Sequence, residues 1–204
     1  MPKGFSKKEK ELIRKRLIKA GKEIFSRQGF KKTSIDEIIR LVNISKGAFY
    51  LFFQSKEVFF FEVLENMEDE FRASLSIVVE NKALSPEKRL KEYFLKCFDF
   101  MESNSLLLKT KYQEMESLMA NLPEEKLKTH MNRDMDFIAD YINKQNTDSN
   151  QAIPADNKAL KGFYLFLFYI FLHKKDIGES EYHAGIDLLL EMACSYFFSN
   201  SKKI

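Results

Sequence analysis

Tryptophan is absent from this 204-residue chain, and glycine (seven), proline (four) and cysteine (two) are scarce. So little glycine and proline, beside 45% hydrophobic residues, excludes a disordered or low-complexity chain and points to a globular one. Cys97 and Cys194 lie far apart with no metal-ligand spacing, which excludes a disulfide scaffold. They read as reduced, buried small hydrophobes, the cysteine usage of a cytoplasmic protein. The most apolar run, Gly162 to Leu172, falls short of the roughly 20 residues a bilayer crossing needs. The lysine-rich start has no adjoining apolar core of the kind a secretory signal carries. The expectation is therefore a cytoplasmic protein without a membrane partner. Catalytic patterns are missing too. His130, His173 and His183 show no H-x-x-x-H spacing, and neither a glycine-rich phosphate loop nor a G-x-S-x-G elbow occurs. Asp134 and Asp136, two apart, diverge on a helix and form no local acid pair. No enzyme activity, metal site or cofactor is expected.

Two features are over-supplied. Twenty phenylalanines favour a bulky aromatic interior. The net charge of +3 also hides an asymmetry: residues 1–60 carry 15 Lys/Arg against 6 Asp/Glu, whereas residues 61–204 carry 18 against 24. A basic head on an acidic body fits nucleic-acid binding confined to one end, although a solvated helix face is also basic.

The stretch from Thr33 to Glu57 organises the chain. Thr33 or Ser34 followed by Glu37 makes a capping box, and Ile35, Ile38, Ile39 and Val42 then share one helical face. Asn43 tolerates the left-handed backbone that ends a helix sharply. Ser45 is an N-cap for a short second helix, Lys46 to Tyr50. Two short helices joined by a tight turn describe a helix-turn-helix, whose second helix meets base edges through its first residues. Here those residues are Ser45, Lys46, Gly47 and Ala48, which are small, hydroxylated or cationic.

Ser45-Lys46-Gly47-Ala48-Phe49-Tyr50, then Phe53, then Ser55-Lys56-Glu57, resembles the DNA-binding segment of TetR-family transcriptional regulators. The resemblance extends back over Gly29-Phe30, Thr33 and Ile35 to Ile38 and covers roughly the first sixty residues. It departs from the usual pattern at Ile39, Val42 and Asn43, where Ala, Ala and Gly are common, and at Phe52, where His or Tyr is often found. The resemblance implies an all-α homodimer: an N-terminal three-helix helix-turn-helix domain, residues 1–54, followed by a larger helical ligand-binding and dimerisation domain, residues 55–204. It implies an operator of double-stranded DNA and a small-molecule effector of unknown identity as partners. Candidate DNA contacts are Thr33, Ser34, Ser45, Lys46, Gly47, Ala48, Tyr50 and Lys56. Lys46 reads a guanine edge or holds a phosphate, and Tyr50 resembles the family tyrosine that bonds the backbone.

Helical periodicity continues throughout. A helix over Lys7 to Gln28, capped by Ser6 and ended at Gly29, repeats Ile13, Leu17, Ala20 and Ile24. Helices are then expected over Lys56–Asn81, 86–102, Leu106–Met119 and Glu124–Lys144, and a loop over Gln145–Pro154. Two last helices follow, over Asp156–Lys174 and Glu179–Ser199. Those two carry surplus apolar surface, which suggests a symmetric four-helix interface between two copies. Its candidates are Phe168, Phe171, Leu172, Ile186, Leu189, Leu190, Ala193 and Phe197. Phe94, Phe98, Met101, Tyr112, Met115, Met119, Met135, Phe163 and Phe166 are candidates for an effector cavity. Methionine and phenylalanine suit a hydrophobic or aromatic guest. The function expected is a repressor that leaves a palindromic operator when ligand binds. The alternative is a helical scaffold whose basic head contacts a protein instead.

Overall fold

The computed structural model describes residues 5–75, 83–145 and 158–199, and the described residues are helices joined by short turns. They are α1 (Lys7–Lys32), α2 (Ile35–Val42), α3 (Lys46–Tyr50), α4 (Lys56–Ser74), α5 (Pro86–Ser103) and α6 (Ser105–Leu108). Then come α7 (Tyr112–Ala120), α8 (Glu124–Gln145), α9 (Lys158–Leu172), α10 (Lys174–Ile177) and α11 (Glu179–Ser199). The chain divides into two compact units. The first is residues 1–71 with 102–122, and the second is 72–101 with 123–204. An all-α fold with a helix-turn-helix near its start is what the sequence implies. The expected loop at Gln145–Pro154 and the expected break after Asn81 fall largely outside the described residues.

In the first unit, α1 opens with a complete capping box. The Ser6 hydroxyl accepts from the Glu9 amide, and the Ser6 amide donates to the Glu9 carboxylate at 2.7 Å. Those bonds hold the Glu9 carboxyl below its ordinary value. The helix does not stop at Gln28. It kinks at Gly29, which takes φ 79° and ψ 173°, and resumes to Lys32. Such a break frees backbone carbonyls that need donors, and two lysines from distant sequence supply them. Lys109 donates to Ser26 O and Arg27 O, at 2.5 and 2.6 Å. Lys56 donates to Phe30 O and Thr33 O, both at 3.0 Å, with its ammonium 4.2 Å from the centre of the Phe30 ring. A Cβ at Gly29 would lie 3.3 Å from Lys109 O in a backbone conformation that L side chains avoid.

The core of this unit is aromatic. Phe59 lies with its ring centre 5.7 Å from Phe25, 5.3 Å from Phe49 and 4.7 Å from Phe53, and Phe25 meets Phe60 edge-on at 4.9 Å. These tilted and edge-to-face contacts are the favoured geometries of ring pairs. Leu17, Ile24 and Ile38 are fully buried beside them. The segment expected as one helix from Leu106 to Met119 is two helices. The Thr110 hydroxyl donates back to Leu106 O at 2.8 Å, an alternative partner that competes with helix continuation.

In the second unit, Leu90, Tyr93, Phe94 and Phe98 of α5 are buried, as are Met135, Ile138 and Ala139 of α8. Leu160, Leu167 and Phe171 of α9 are buried, and so are Tyr182, Ile186, Leu190, Cys194 and Phe197 of α11. Phe163 bridges two of these helices, 5.4 Å from Phe94 and 6.3 Å from Phe197. A polar cluster lies among them. Asp134 is 4% exposed, pairs with Arg72, accepts from the Tyr164 hydroxyl at 2.5 Å and lies 3.5 Å from His130. Burial drives the Tyr93 phenol well above its ordinary value. Burial likewise pushes the Cys194 thiol up to about 12. Among the described residues, no helix is long and apolar enough to cross a membrane.

Candidate nucleic-acid interface

The interface is built by α2, the turn at Asn43 and α3. Ser34 caps α2, its hydroxyl accepting from the Glu37 amide at 3.2 Å. Asn43 takes the left-handed conformation, φ 56° and ψ 55°, and its amide returns to carbonyls of the last turn. Arg16 of α1 donates to Val42 O at 2.8 Å, satisfying another terminal carbonyl of α2. Ser45 then caps α3, accepting from the Ala48 amide at 3.1 Å. Phe49 is fully buried, so its neighbours on the opposite face of α3 point outward.

That orientation exposes Ser45, Lys46, Gly47 and Tyr50 together, with Tyr50 47% exposed. A Cβ added at Gly47 would meet only the Ser45 hydroxyl oxygen, at 4.0 Å. The backbone there is open to close approach by a partner. Ser34 is exposed as well. Three other candidates are placed elsewhere. Thr33 is 2% exposed and its hydroxyl donates to Gly29 O at 2.7 Å, so it belongs to the kink of α1. Ala48 is 8% exposed and faces the core with Phe49. Lys56 spends its ammonium on Phe30 O and Thr33 O, and burial lowers its affinity for the proton. These bonds cap the kinked end of α1.

Two residues that motif reasoning passed over share this surface. Asp36, in the first turn of α2, lies 3.1 Å from the Lys46 ammonium. Arg40, exposed on the same helix, donates Nε to Asp36 O at 3.1 Å. The only sequence signal for the first pairing is two opposite charges ten residues apart, which no local rule connects.

The matches to known proteins follow this geometry. A family model described as bacterial regulatory proteins, tetR family, covers residues 17–63, the stretch from mid-α1 through α2 and α3 into α4. Over this stretch the chain is similar to TetR-family DNA-binding regulators. Over 96 residues it is 26% identical to the HTH-type transcriptional repressor DhaR of Mycobacterium sp. strain GP1, covering 47% of this chain and 48% of that one. The match thus spans about half of that relative. The HTH-type transcriptional regulator YdgC of Bacillus subtilis is 27% identical over 145 residues, 63% of this chain and 74% of YdgC. The structure of regulatory protein TetR from Rhodobacter sphaeroides superposes with a TM-score of 0.55. It has 19% identity and covers 88% of this chain and 97% of that one, a likeness of fold.

The remaining candidates divide between the units. Tyr112, Met115 and Met119 belong to the first unit. Phe94, Phe98, Met101, Met135 and Phe163 belong to the second, where Phe94 and Phe163 are in ring contact. Phe166 is 66% exposed and faces outward, so it lines no interior of its own unit. The candidate association face also changes. Phe171, Ile186, Leu190 and Phe197 are buried within the subunit's own core, and Phe168, Leu172 and Ala193 are half-buried. The apolar residues pointing outward are Phe166 and Tyr169 on α9, and Leu188, Leu189, Met192 and Tyr196 on α11. An unforeseen open cleft of about 750 Å³ also runs along α1 and α4. Arg14, Lys15, Lys19 and Lys22 line it, and Arg14 and Lys22 are already paired with Glu62 and Glu70.

Proposed function

We propose that the protein is a homodimeric transcriptional repressor that releases a palindromic operator when a small, mainly hydrophobic or aromatic ligand binds its C-terminal domain. The observation that carries the reading is the exposed front of α3, where Ser45, Lys46 and Tyr50 surround the open backbone of Gly47. A helix presented this way fits a major groove through its first residues, with side-chain donors for phosphates and base edges. The DNA-binding function is assigned to residues 1–54, and ligand binding and dimerisation to 55–204. Leu188, Met192 and Tyr196 repeat at helical spacing on α11, and with Phe166 and Tyr169 of α9 they supply the apolar surface of a two-fold contact. Two heads in such a dimer would engage half-sites about 34–36 Å apart, or a multiple of that.

The effector is assigned to the aromatic interior of the second unit, where Phe94, Phe98, Met135 and Phe163 offer apolar contacts to a flat or aliphatic guest. Its leverage on DNA equals its difference in affinity between the bound and released states.

Gel-shift titration with operator DNA selected from a random pool tests the docking. Lys46→Ala and Tyr50→Phe are each expected to weaken binding at moderate salt. Unchanged affinity in both overturns the assignment of α3 to the groove. Affinity should also fall steeply with salt as phosphate neutralisation releases counterions, whereas a flat dependence would favour a protein-binding scaffold. Leu188→Glu should turn the dimer into monomers in sedimentation, and a monomeric parent protein would defeat the two-headed reading.

A further inference from the structure

We propose that Asp36 and Lys46 form a two-residue reader of one G·C base pair, with Asp36 the residue that sets the specificity. The inference rests on the docking of α3 proposed above. Asp36 stands in the first turn of α2, and Lys46 is the first residue of α3. The turn at Asn43 brings the two together, and the Lys46 ammonium lies 3.1 Å from Oδ1 and 3.3 Å from Oδ2 of Asp36. Both side chains remain more than half exposed, at 60% and 55%. The carboxylate therefore sits beside the residue that leads α3 into a groove.

The neighbouring acid shows what Asp36 is not used for. The Glu37 carboxylate turns toward α1, where it accepts from Arg27 at 2.9 Å and Gln28 at 2.7 Å, and it is 30% exposed. Glu37 ties α2 to α1. Asp36 holds no comparable buried position, and an ion pair this exposed adds almost nothing to stability. Its cost to DNA binding is substantial, since a carboxylate at a phosphate-binding surface repels every duplex alike. That repulsion is offset only where a base presents a donor to it.

A G·C pair offers such a donor in the right company. In the major groove, guanine shows the acceptors N7 and O6 beside the N4 amine of its cytosine. Lysine pairs with the guanine edge and aspartate accepts from the cytosine amine, so the preferences of both side chains coincide on one base pair. A base pair that leaves the carboxylate against thymine O4 or its methyl group gives repulsion without compensation, which is discrimination by penalty. Arg40, whose Nε is turned to the Asp36 main-chain oxygen, leaves the carboxylate to Lys46.

The test is selection from random duplex DNA by the full-length protein, comparing the parent with Asp36→Ala and Asp36→Asn. The parent should select a strong G·C preference at one position in each half-site. Asp36→Ala should lower that preference roughly tenfold, leave the other positions in place, and bind random duplex more tightly. Asp36→Asn should shift the same position toward A·T, because a carboxamide pairs with adenine N6 and N7. Both variants should melt near the parent temperature. If the alanine variant does not fold, the isosteric asparagine variant carries the test. An unaltered consensus of unaltered strength in the folded variants overturns the reader while leaving the docking intact. Failure of the parent to select any duplex sequence overturns both.

Discussion

The first unit keeps its ions at the edges and packs its centre with rings. Phe25, Phe49, Phe53, Phe59 and Phe60 meet one another there, while its lysines and arginines cap helix ends, pair with carboxylates or stand in solvent. The second unit inverts this arrangement. It buries the Arg72–Asp134 pair with Tyr164 and His130, and sets Leu188, Met192 and Tyr196 in a row on its surface. Exposed leucines of the first unit, such as Leu12, Leu41 and Leu51, are distant in sequence by comparison. The contrast teaches that one region is centred on packed rings and presents its charged groups outward. The other holds polar chemistry inside and leaves apolar area for something else to cover.

Breaking the first arrangement should have the largest effect. Phe59→Ala removes the ring that joins Phe25 of α1, Phe49 of α3 and Phe53 of the following turn, and should cost about 3–5 kcal/mol, read as a lowered midpoint in urea and lost DNA binding. Asp134→Ala probes the second arrangement, because it removes the buried carboxylate that Arg72 pairs with and that the Tyr164 hydroxyl donates to. A loss of about 3 kcal/mol is expected in the same measurement, and Asp134→Ala combined with Arg72→Met should recover part of it. Recovery to nothing would mean that the pair is not the polar heart of that unit.

Gly47→Ala separates folding from recognition in the first unit. With open space around its Cβ position, the alanine should raise stability by up to about 1 kcal/mol through helix propensity. It should weaken DNA affinity at the same time by blocking close approach. A variant that loses stability would place Gly47 in the fold rather than the interface. The smallest effect concerns thiols of the second unit. With its thiol at about 12, Cys194 has a thiolate fraction of roughly one in ten thousand at pH 8, whereas Cys97 is half-buried. Iodoacetamide on the folded protein should modify Cys97 first, and mass spectrometry of the peptides reads the order.

Much of the helix-turn-helix was legible because its signals are local. Ser34 and Ser45 as caps, and Asn43 as the left-handed exit, each act within four residues of where they stand. The kink of α1 was legible only in part. Gly29 marked an ending, but the chain continues because Lys56 and Lys109, remote in sequence, satisfy the carbonyls the glycine releases. The same distance hid the capping bonds of Lys56, whose position at a helix start resembled a phosphate contact. Thr33 misled for a related reason, since a cap-like hydroxyl next to Ser34 proved to face inward. Periodicity also left the outer face of α9 and α11 undetermined. A helix apolar nearly all round does not announce which side its own unit covers. Asp36 beside Lys46 lay beyond any pattern, because only the turn between α2 and α3 makes them neighbours.

The capping of α1 by Lys109 bears on how this DNA-reading end can be transplanted. A hybrid protein spliced at residue 71 would leave α6, which packs on α1, behind in the discarded half. Leu106 and Leu107 would then be missing from the grafted piece, and the carbonyls of Ser26 and Arg27 would lose their donor. A working chimera has to import residues 102–122 as a second insert, with three junctions to design instead of one.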